Sequence, residues 1–444
     1  MRDVDGASLM SWAVTAYLVP SIVGGSYAAA LKQLLTVRVA LFLSGLVFLV
    51  GTLVASVAPS MAVILLGRAL QGAGDGVIAA LCYALIPALF PSHLIARVFG
   101  VEALVWASSA FGGPLLSGWV TQSFSWRAAF LVNVPLIAVF LVLVPLVTPR
   151  EVRTRPNQSG SAVFRLSGIA MGIMAVALAG IMVGVLAKLA CLAAAVALLV
   201  WSVRADHSSA TRLFPATMFR LTTRMGSIYW VMLLMPLGQA VSGVYLVLAL
   251  QQVWGFRPAS AGGVNALMAL SWSLSSFLTA GRPGLRLNLA RFGPALNAAG
   301  LLGVVIALQT GWIGLVFAAQ IVIGAGFGFC WPTMSQWIME GALPEDQDRA
   351  TALLPTVQSA GYAIGAAVAG LAANSAGLPR ALHNGGNIIA PISWAYAVAA
   401  VIAALAVLIS RRLGPPAPVG QGQSPCLPLQ ESSARLVTTR ETIP

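Results

Sequence analysis

Residues 61–90 read MAVILLGRALQGAGDGVIAALCYALIPALF, an apolar run that holds only two charged side chains, Arg68 and Asp75. A helix of about 20 residues is long enough to cross the hydrocarbon core of a bilayer. The run is therefore predicted to be a transmembrane helix. Its two charges are predicted to face a partner or a cavity, because a charge exposed to lipid is costly.

The same character extends over the whole chain. Of its 444 residues, 59% are hydrophobic and only 8% are charged, whereas a soluble globular protein carries about 25% charged residues. This composition indicates an integral membrane protein and excludes a soluble enzyme, a disordered chain and a collagen-like fibre. Thirteen apolar runs are predicted to span the bilayer: 12–31, 37–58, 61–90, 98–120, 127–148, 164–186, 188–204, 225–250, 260–281, 290–309, 312–335, 350–373 and 390–412.

The 25 basic residues are unevenly distributed between the two sides of these runs. If the run 12–31 passes from outside to inside, 19 of them fall on the inner side and 5 on the outer side. Basic residues collect in cytoplasmic loops, so the pattern predicts an outer N-terminus and a cytoplasmic C-terminus. The same asymmetry accounts for the net charge of +13. Because no basic cluster alternates with aromatic residues, we expect no nucleic-acid partner.

Polar breaks divide the chain into four parts. We predict an N-terminal bundle of five spans in 1–149. Cytoplasmic loops and an inserted hydrophobic helix pair follow in 150–224, and a C-terminal six-helix bundle in 225–412. The tail, 413–444, is rich in Pro, Gly, Gln and Ser and is predicted to be a disordered cytoplasmic segment.

The sequence lacks the spacing of a catalytic or metal site. The four cysteines are far apart and form no Cys-x-x-Cys pair, and neither a nucleophile elbow nor a phosphate-binding loop is present. Gly72 and Gly74 lie within an apolar run rather than after a strand, which argues against a nucleotide site. We therefore expect neither an enzyme nor a bound cofactor or metal.

Two stretches are more specific than hydrophobicity alone. The first is GRALQGAGDG at 67–76, and the second extends from GGPLLSG at 112–118 to SWRAAFLVNVP at 125–135. In this order and spacing they resemble the major facilitator superfamily, in particular its fourteen-helix drug:proton antiporter branch. The stretch WAVTAYL at 12–18 resembles the second helix of that branch, and LQQVWGF at 250–256 resembles its seventh-to-eighth helix turn.

The resemblance implies an all-α integral membrane protein with two pseudo-symmetric helix bundles, the major facilitator fold, and an extra central helix pair. It also implies a monomer in the inner (plasma) membrane, with the lipid bilayer, protons and a small-molecule substrate as partners. If Trp12 begins the second family helix, the first family helix is absent and thirteen spans stand where the family has fourteen. The following loop keeps only Lys32 and Arg38 of the family's charged pattern.

Asp75, Arg68 and Glu102 are the candidates for proton coupling. Arg68 and Asp75 are seven residues apart and therefore share a helix face, and Asp75 is the only carboxylate deep within a predicted span. Asp75 is interpreted either as a proton carrier or as half of a buried structural pair with Arg68. Glu102 is expected near the cytoplasmic mouth, where a solvated helix-end role is the alternative.

The two motifs imply two further sets of residues. The antiporter motif, in which small residues let helices approach closely and proline allows a bend, contributes Gly112, Gly113, Pro114 and Gly118. The fourth-helix motif contributes Gln71, Gly72 and Gly74.

The second half of the chain is expected to form an apolar, aromatic cavity. A cavity with few hydrogen-bonding groups suits lipophilic or cationic compounds better than sugars, which need many polar contacts. For each single residue, packing or anchoring at the membrane interface is the alternative role. The candidates are Gln239, Tyr245, Asn265, Trp272, Gln320, Trp331 and Gln336.

Three functions are compatible with these observations. The first is a secondary active transporter that couples efflux of small lipophilic or drug-like molecules to protons by alternating access. The second is a facilitator for a specific metabolite, which would not dissipate a proton gradient. The third is a truncated, non-transporting paralogue, suggested by the absent first helix.

Overall fold

The computed structural model describes residues 9–90, 92–148, 160–182, 184–209, 218, 220–279, 283–341 and 347–414. These residues are almost entirely helical, and no β-strand occurs among them. Besides a short 3₁₀ helix at Pro283–Leu285, fifteen α-helices follow one another: α1 Trp12–Leu34, α2 Val37–Ser56, α3 Met61–Leu89, α4 Ser92–Ser123, α5 Trp126–Leu131, α6 Asn133–Val147, α7 Gly160–Ile181, α8 Val185–His207, α9 Arg224–Val253, α10 Pro258–Thr279, α11 Arg286–Thr310, α12 Ile313–Gly341, α13 Gln347–Ser375, α14 Leu378–His383 and α15 Ile389–Ser410.

Nine helical segments of the described chain are long and apolar enough to cross a membrane. Each corresponds to one of the thirteen predicted spans. Two further spans, 12–31 and 164–186, correspond to the shorter apolar segments Trp12–Gly25 and Ser167–Ile181. The spans 98–120 and 260–281 correspond to the long helices α4 and α10, which are not among these candidate segments. The all-helical membrane fold is confirmed, and the count of thirteen stays a prediction.

The run 127–148 differs in detail from the single helix that was predicted. It consists of the short α5 and the longer α6, which meet at Val132. The Ser125 side chain accepts a hydrogen bond from the Ala128 amide and so begins α5. Pro135 lies in the first turn of α6, where a residue without an N–H group is tolerated. It cannot supply the amide that would continue α5, and the helix is interrupted before it.

The first group of helices, α1 to α6, is built around α3. Gly72 and Gly76 lie against the backbone of α1, next to the carbonyl groups of Tyr17 and Ser21. Gly67 and Gly74 lie against α2 on the opposite side of α3. Without Cβ atoms at these four positions, the three backbones approach one another closely.

The second group, α9 to α15, has the largest core. Helix α9 is buried along most of its length and packs against α13 and α15, while α12 packs against α10 and α11. Tyr245, Phe327 and Tyr396 are among the largest fully buried side chains of this core.

The inserted pair, α7 and α8, lies beside the junction of the two groups. Helix α7 packs against both α1 and α13, and α8 packs against α7. In the shared apolar cluster, Ile173 of α7 packs with Val19 of α1 and Ala363 of α13. A buried salt bridge of 3.0 Å joins Arg165 of α7 to Asp206 of α8.

The two groups meet through α1 with α13 and through α4 with α10. At the first contact, Gly370 lies against the Ser11 side chain, and at the second, Gly262 lies against the Pro114 carbonyl oxygen. Because successive spans run in alternating directions, with α5 and α6 forming one span, both contacts lie at one end of the molecule. We call it the closed end: it contains the starts of α1 and α10 and the ends of α4 and α13.

Candidate functional site

The fourth-helix motif is the centre of a hydrogen-bonded cluster that joins three helices. Arg68 of α3 donates through Nε to the carbonyl oxygen of Ala13 in α1, at 3.1 Å. It donates through Nη1 to Oε1 of Gln71, at 3.0 Å. Gln71 donates through Nε2 to Oγ1 of Thr52 in α2, at 2.9 Å. Gln71 and Thr52 are fully buried, so the cluster stays dry and holds the Arg68 charge in place.

Asp75 lies close to the middle of α3, about 21 Å of helical rise from its first residue. Its side chain is only partly buried. Ser21 of α1 donates through Oγ to Oδ2 of Asp75, at 3.2 Å, and the Tyr17 side chain also interacts with this carboxyl. A carboxyl group that accepts a hydrogen bond from a hydroxyl and is still partly accessible is able to exchange a proton within a membrane protein.

Arg68 and Asp75 share a face of α3 but are not directly paired in the described structure. Seven residues of helix separate them by about 10.5 Å along the axis, and the Arg68 guanidinium turns toward the start of α1. It lies over the ring of Tyr17, with 4.1 Å between Cζ and the ring centroid. Tyr17 therefore stands between the two charges, and a structural ion pair is not what the cluster contains.

Sequence reasoning did not single out Tyr17, Ser21 or Thr52 as site residues. Tyr17 and Ser21 are four residues apart and so share a face of α1. That spacing was a usable signal, but periodicity does not tell which helix this face meets. The Glu102 side chain, the third candidate for proton coupling, lies outside the described residues.

The antiporter motif lies in α4, and its close contact among the described residues falls between Pro114 and Gly118. A Cβ atom at Gly118 would lie 2.6 Å from the Pro258 carbonyl oxygen of α10. At Gly112 and Gly113, by contrast, an added Cβ would meet no atom of the described residues within 4 Å. The expectation that Gly112 and Gly113 also let helices approach closely stays a prediction.

The seven candidates for the substrate cavity separate into two sets. Gln239, Tyr245 and Gln320 are buried. Tyr245 interacts with Ser11 at the closed end, and its place in a substrate cavity stays a prediction. The other four, which are partly buried, are Asn265, Trp272, Trp331 and Gln336.

Three aromatic rings form a cluster between α10 and α12. The ring centroids of Trp272 and Phe327 are 4.8 Å apart, those of Trp272 and Trp331 are 6.0 Å apart, and those of Phe327 and Trp331 are 6.1 Å apart. Phe327 was missed by sequence reasoning, although it lies four residues before Trp331 on α12. Such ring faces bind flat apolar groups and organic cations.

Among the described residues, no cluster of three or more His, Cys, Asp or Glu side chains could hold a metal ion. The chemistry of the described site therefore depends on one carboxyl, its hydroxyl partners, one guanidinium and the aromatic cluster.

Comparison with known proteins relates the chain to transporters. The sequence profile of the Major Facilitator Superfamily matches residues 2–281. A "Probable multidrug-efflux transporter" of Mycobacterium tuberculosis (strain ATCC 25618 / H37Rv) is 28% identical over 433 residues, which cover 92% of this chain and 88% of the relative.

Two solved structures share the fold. The POT family transporter PepTSo superposes with a TM-score of 0.63 at 16% identity, covering 92% of this chain and 89% of that one. A D-xylose–proton symporter superposes with a TM-score of 0.62 at 17% identity, covering 92% and 88%. At such identities the superpositions establish the arrangement of helices and nothing about the substrate.

Proposed function

Because the chain belongs to the Major Facilitator Superfamily, and is thus a multi-pass membrane transporter of small molecules rather than an enzyme, we propose that it exports lipophilic compounds in exchange for protons. The observation that carries the proposal is the Asp75 carboxyl. It lies close to the middle of α3, is partly accessible, and accepts a hydrogen bond from a hydroxyl group of α1.

Asp75 is the proton carrier in this proposal. An ionised carboxylate within a membrane is costly unless it is hydrogen-bonded or paired, and here Ser21 provides a hydrogen bond and the Tyr17 side chain a further favourable interaction. When Asp75 takes up a proton, the charge disappears and the two hydroxyls are no longer needed to compensate it. The protonation state of Asp75 thereby changes how firmly α1 is held against α3.

Helix α1 transmits that change to the second bundle. Its start meets α13 where Gly370 contacts Ser11, and Ser11 also interacts with Tyr245 of α9. Rocking of the two bundles about such contacts opens the substrate site to one side of the membrane at a time. A contiguous path thus connects the carboxyl in α3 to the junction at the closed end.

The aromatic cluster is the proposed substrate site. Trp272 and Trp331, which are partly buried, provide ring faces and pack against the buried ring of Phe327. Helix α9 after Arg224, α10 and the first 27 residues of α12 contain no charged side chain. Lipophilic and aromatic cations suit such a surface. The name of the Mycobacterium tuberculosis relative, a multidrug-efflux transporter, supports the same class of substrate.

The protein acts as a monomer in the cytoplasmic membrane in this proposal, with its C-terminus in the cytoplasm. The basic residues concentrated on one side of the spans support that orientation. The closed end then faces outward, and the conformation described is the one closed toward the outside.

The test compares the wild type with Asp75→Asn in proteoliposomes, with ethidium as the lipophilic cation and a pH-sensitive dye inside. The wild type is expected to release protons from acid-loaded vesicles when ethidium is added. The variant should insert normally, since a neutral amide is cheaper to bury than a carboxylate. It should allow downhill ethidium movement without proton release. Unchanged proton release in the variant would refute the proposal, and protein-free liposomes provide the baseline.

A further inference from the structure

Tyr17 has two interactions that use different parts of its side chain. Its ring lies under the Arg68 guanidinium, 4.1 Å from Cζ, and its side chain also interacts with the Asp75 carboxyl. Its main chain is held as well, because the carbonyl oxygen of Tyr17 lies where Gly72 of α3 has no side chain. The residue is therefore fixed in a position from which it contacts both charges of α3.

The two interactions reinforce each other. A guanidinium over an aromatic ring is attracted to the electrons of its face, and this withdraws electron density from the phenol. A phenol polarised in this way is a stronger hydrogen-bond donor, and a donor to an ionised carboxylate stabilises the charged form. Arg68 thus acts on Asp75 through the ring, although its own hydrogen bonds go to Ala13 and Gln71.

The groups that face Asp75 come from two helices. Helix α1 provides Tyr17 and Ser21, and α3 itself provides the charge of Arg68. Helix α2 packs on the other side of α3, where Ser44 and Phe48 lie against Gly74. Among the described residues, Tyr17 is the side chain that contacts both the Asp75 carboxyl and the Arg68 guanidinium.

We propose that Tyr17 is a positioning residue that links Arg68 to Asp75 and so sets the pH at which the transporter exchanges its proton. The inference rests on the proposed function, since it assigns to Tyr17 a role in the proton step. The ring holds the guanidinium, the hydroxyl holds the carboxylate, and protonation of Asp75 releases the hydroxyl.

Two substitutions separate the parts of this link. Tyr17→Phe keeps the ring under Arg68 and removes the hydroxyl, whereas Tyr17→Leu removes both. Tyr27→Phe is the matched control, because Tyr27 is on the same helix and is 46% exposed. All variants are reconstituted at equal amounts, and proton release driven by ethidium is measured as a function of pH.

Loss of one hydrogen bond to the charged form should make Asp75 bind its proton more readily. The pH midpoint of ethidium-driven proton release is therefore expected to move upward by roughly one pH unit in Tyr17→Phe. The half-saturating ethidium concentration should change less than about twofold, and Tyr27→Phe should match the wild type. Tyr17→Leu should shift the midpoint at least as far and also lower the rate.

A second readout does not require transport. Infrared difference spectra of the purified protein, with Asp75→Asn as the reference, report protonation of the Asp75 carboxyl directly, and the same upward shift is expected for Tyr17→Phe. A wild-type midpoint in Tyr17→Phe by both methods would overturn the role of Tyr17, while loss of coupling in Asp75→Asn would leave the proposed function standing. Full coupling in Asp75→Asn would overturn both.

Discussion

Gln71 in α3 and Gln320 in α12 are both fully buried glutamines in membrane-spanning helices, yet their surroundings differ. Gln71 accepts a hydrogen bond from Arg68 and donates one to Thr52. Neither amide atom of Gln320 has a hydrogen-bond partner among the described residues. Gln239 in α9 is similar to Gln320: it donates only to the sulfur of Met268, and its oxygen has no partner there.

The difference extends to the two bundles. In the first, buried polar groups are connected to one another and to two charges within α3. In the second, the amides of Gln239 and Gln320 belong to no such network among the described residues, and their helices are nearly free of charge. A connected network keeps a charge in the membrane at a tolerable cost. This difference is the physical reason for proposing that the first bundle handles protons and the second binds substrate.

The largest effect is expected where the first bundle packs most closely. A Cβ in Gly72→Ala would press on the carbonyl group of Tyr17 and force α1 away from α3. We expect a loss of about 3 kcal/mol in unfolding free energy, at the upper end for overpacking, seen as an earlier thermal transition in detergent. Gly243→Ala is the control, since an added Cβ there meets no described atom within 4 Å. Equal transitions for the two variants would contradict the packing of α1 on α3.

The two glutamines provide the next test. Gln71→Leu leaves Arg68 and Thr52 with a lost partner and should cost about 1–3 kcal/mol of stability. Gln320→Leu removes an amide that has no described partner, and should be neutral or slightly stabilising. Thermal unfolding of the two purified variants checks both values. If Gln320→Leu were the more damaging change, the contrast between the bundles would be lost.

A smaller effect is expected at the contact between the bundles. Gly118→Leu places a side chain on the backbone of α10 at Pro258 and should lower ethidium efflux roughly tenfold, about 1.4 kcal/mol at 25 °C. An added Cβ at Gly113 meets no described atom within 4 Å, so Gly113→Leu should stay within about twofold of the wild type. Transport rates at equal membrane levels decide between them, and the opposite order would support Gly113 as the sealing position.

Much of the helical framework was predictable from the sequence, because apolar runs of bilayer length have few alternatives. The run 61–90 is observed as Met61–Leu89. The break at Val132 was not predicted, since it depends on local chain geometry around Pro135. The residues that contact α3 could not be predicted either. Helical periodicity places Arg68 and Asp75 on one face, but only tertiary packing brings Tyr17 between them. In the second bundle, Trp272 and Trp331 were predicted. Phe327 was missed, because a phenylalanine within an apolar helix is typical of an ordinary hydrophobic core.

The most direct test of the division between the bundles is pH-driven accumulation of ethidium in proteoliposomes of wild type, Asp75→Asn and Trp272→Ala. Two quantities are measured, the accumulation ratio under an imposed pH gradient and the half-saturating ethidium concentration for downhill movement. The account predicts that Asp75→Asn loses accumulation with an unchanged half-saturating concentration. Trp272→Ala should raise that concentration about fivefold, the loss of a desolvated ring contact, and still accumulate ethidium at saturation. Accumulation by Asp75→Asn, or loss of coupling in Trp272→Ala, would contradict the account.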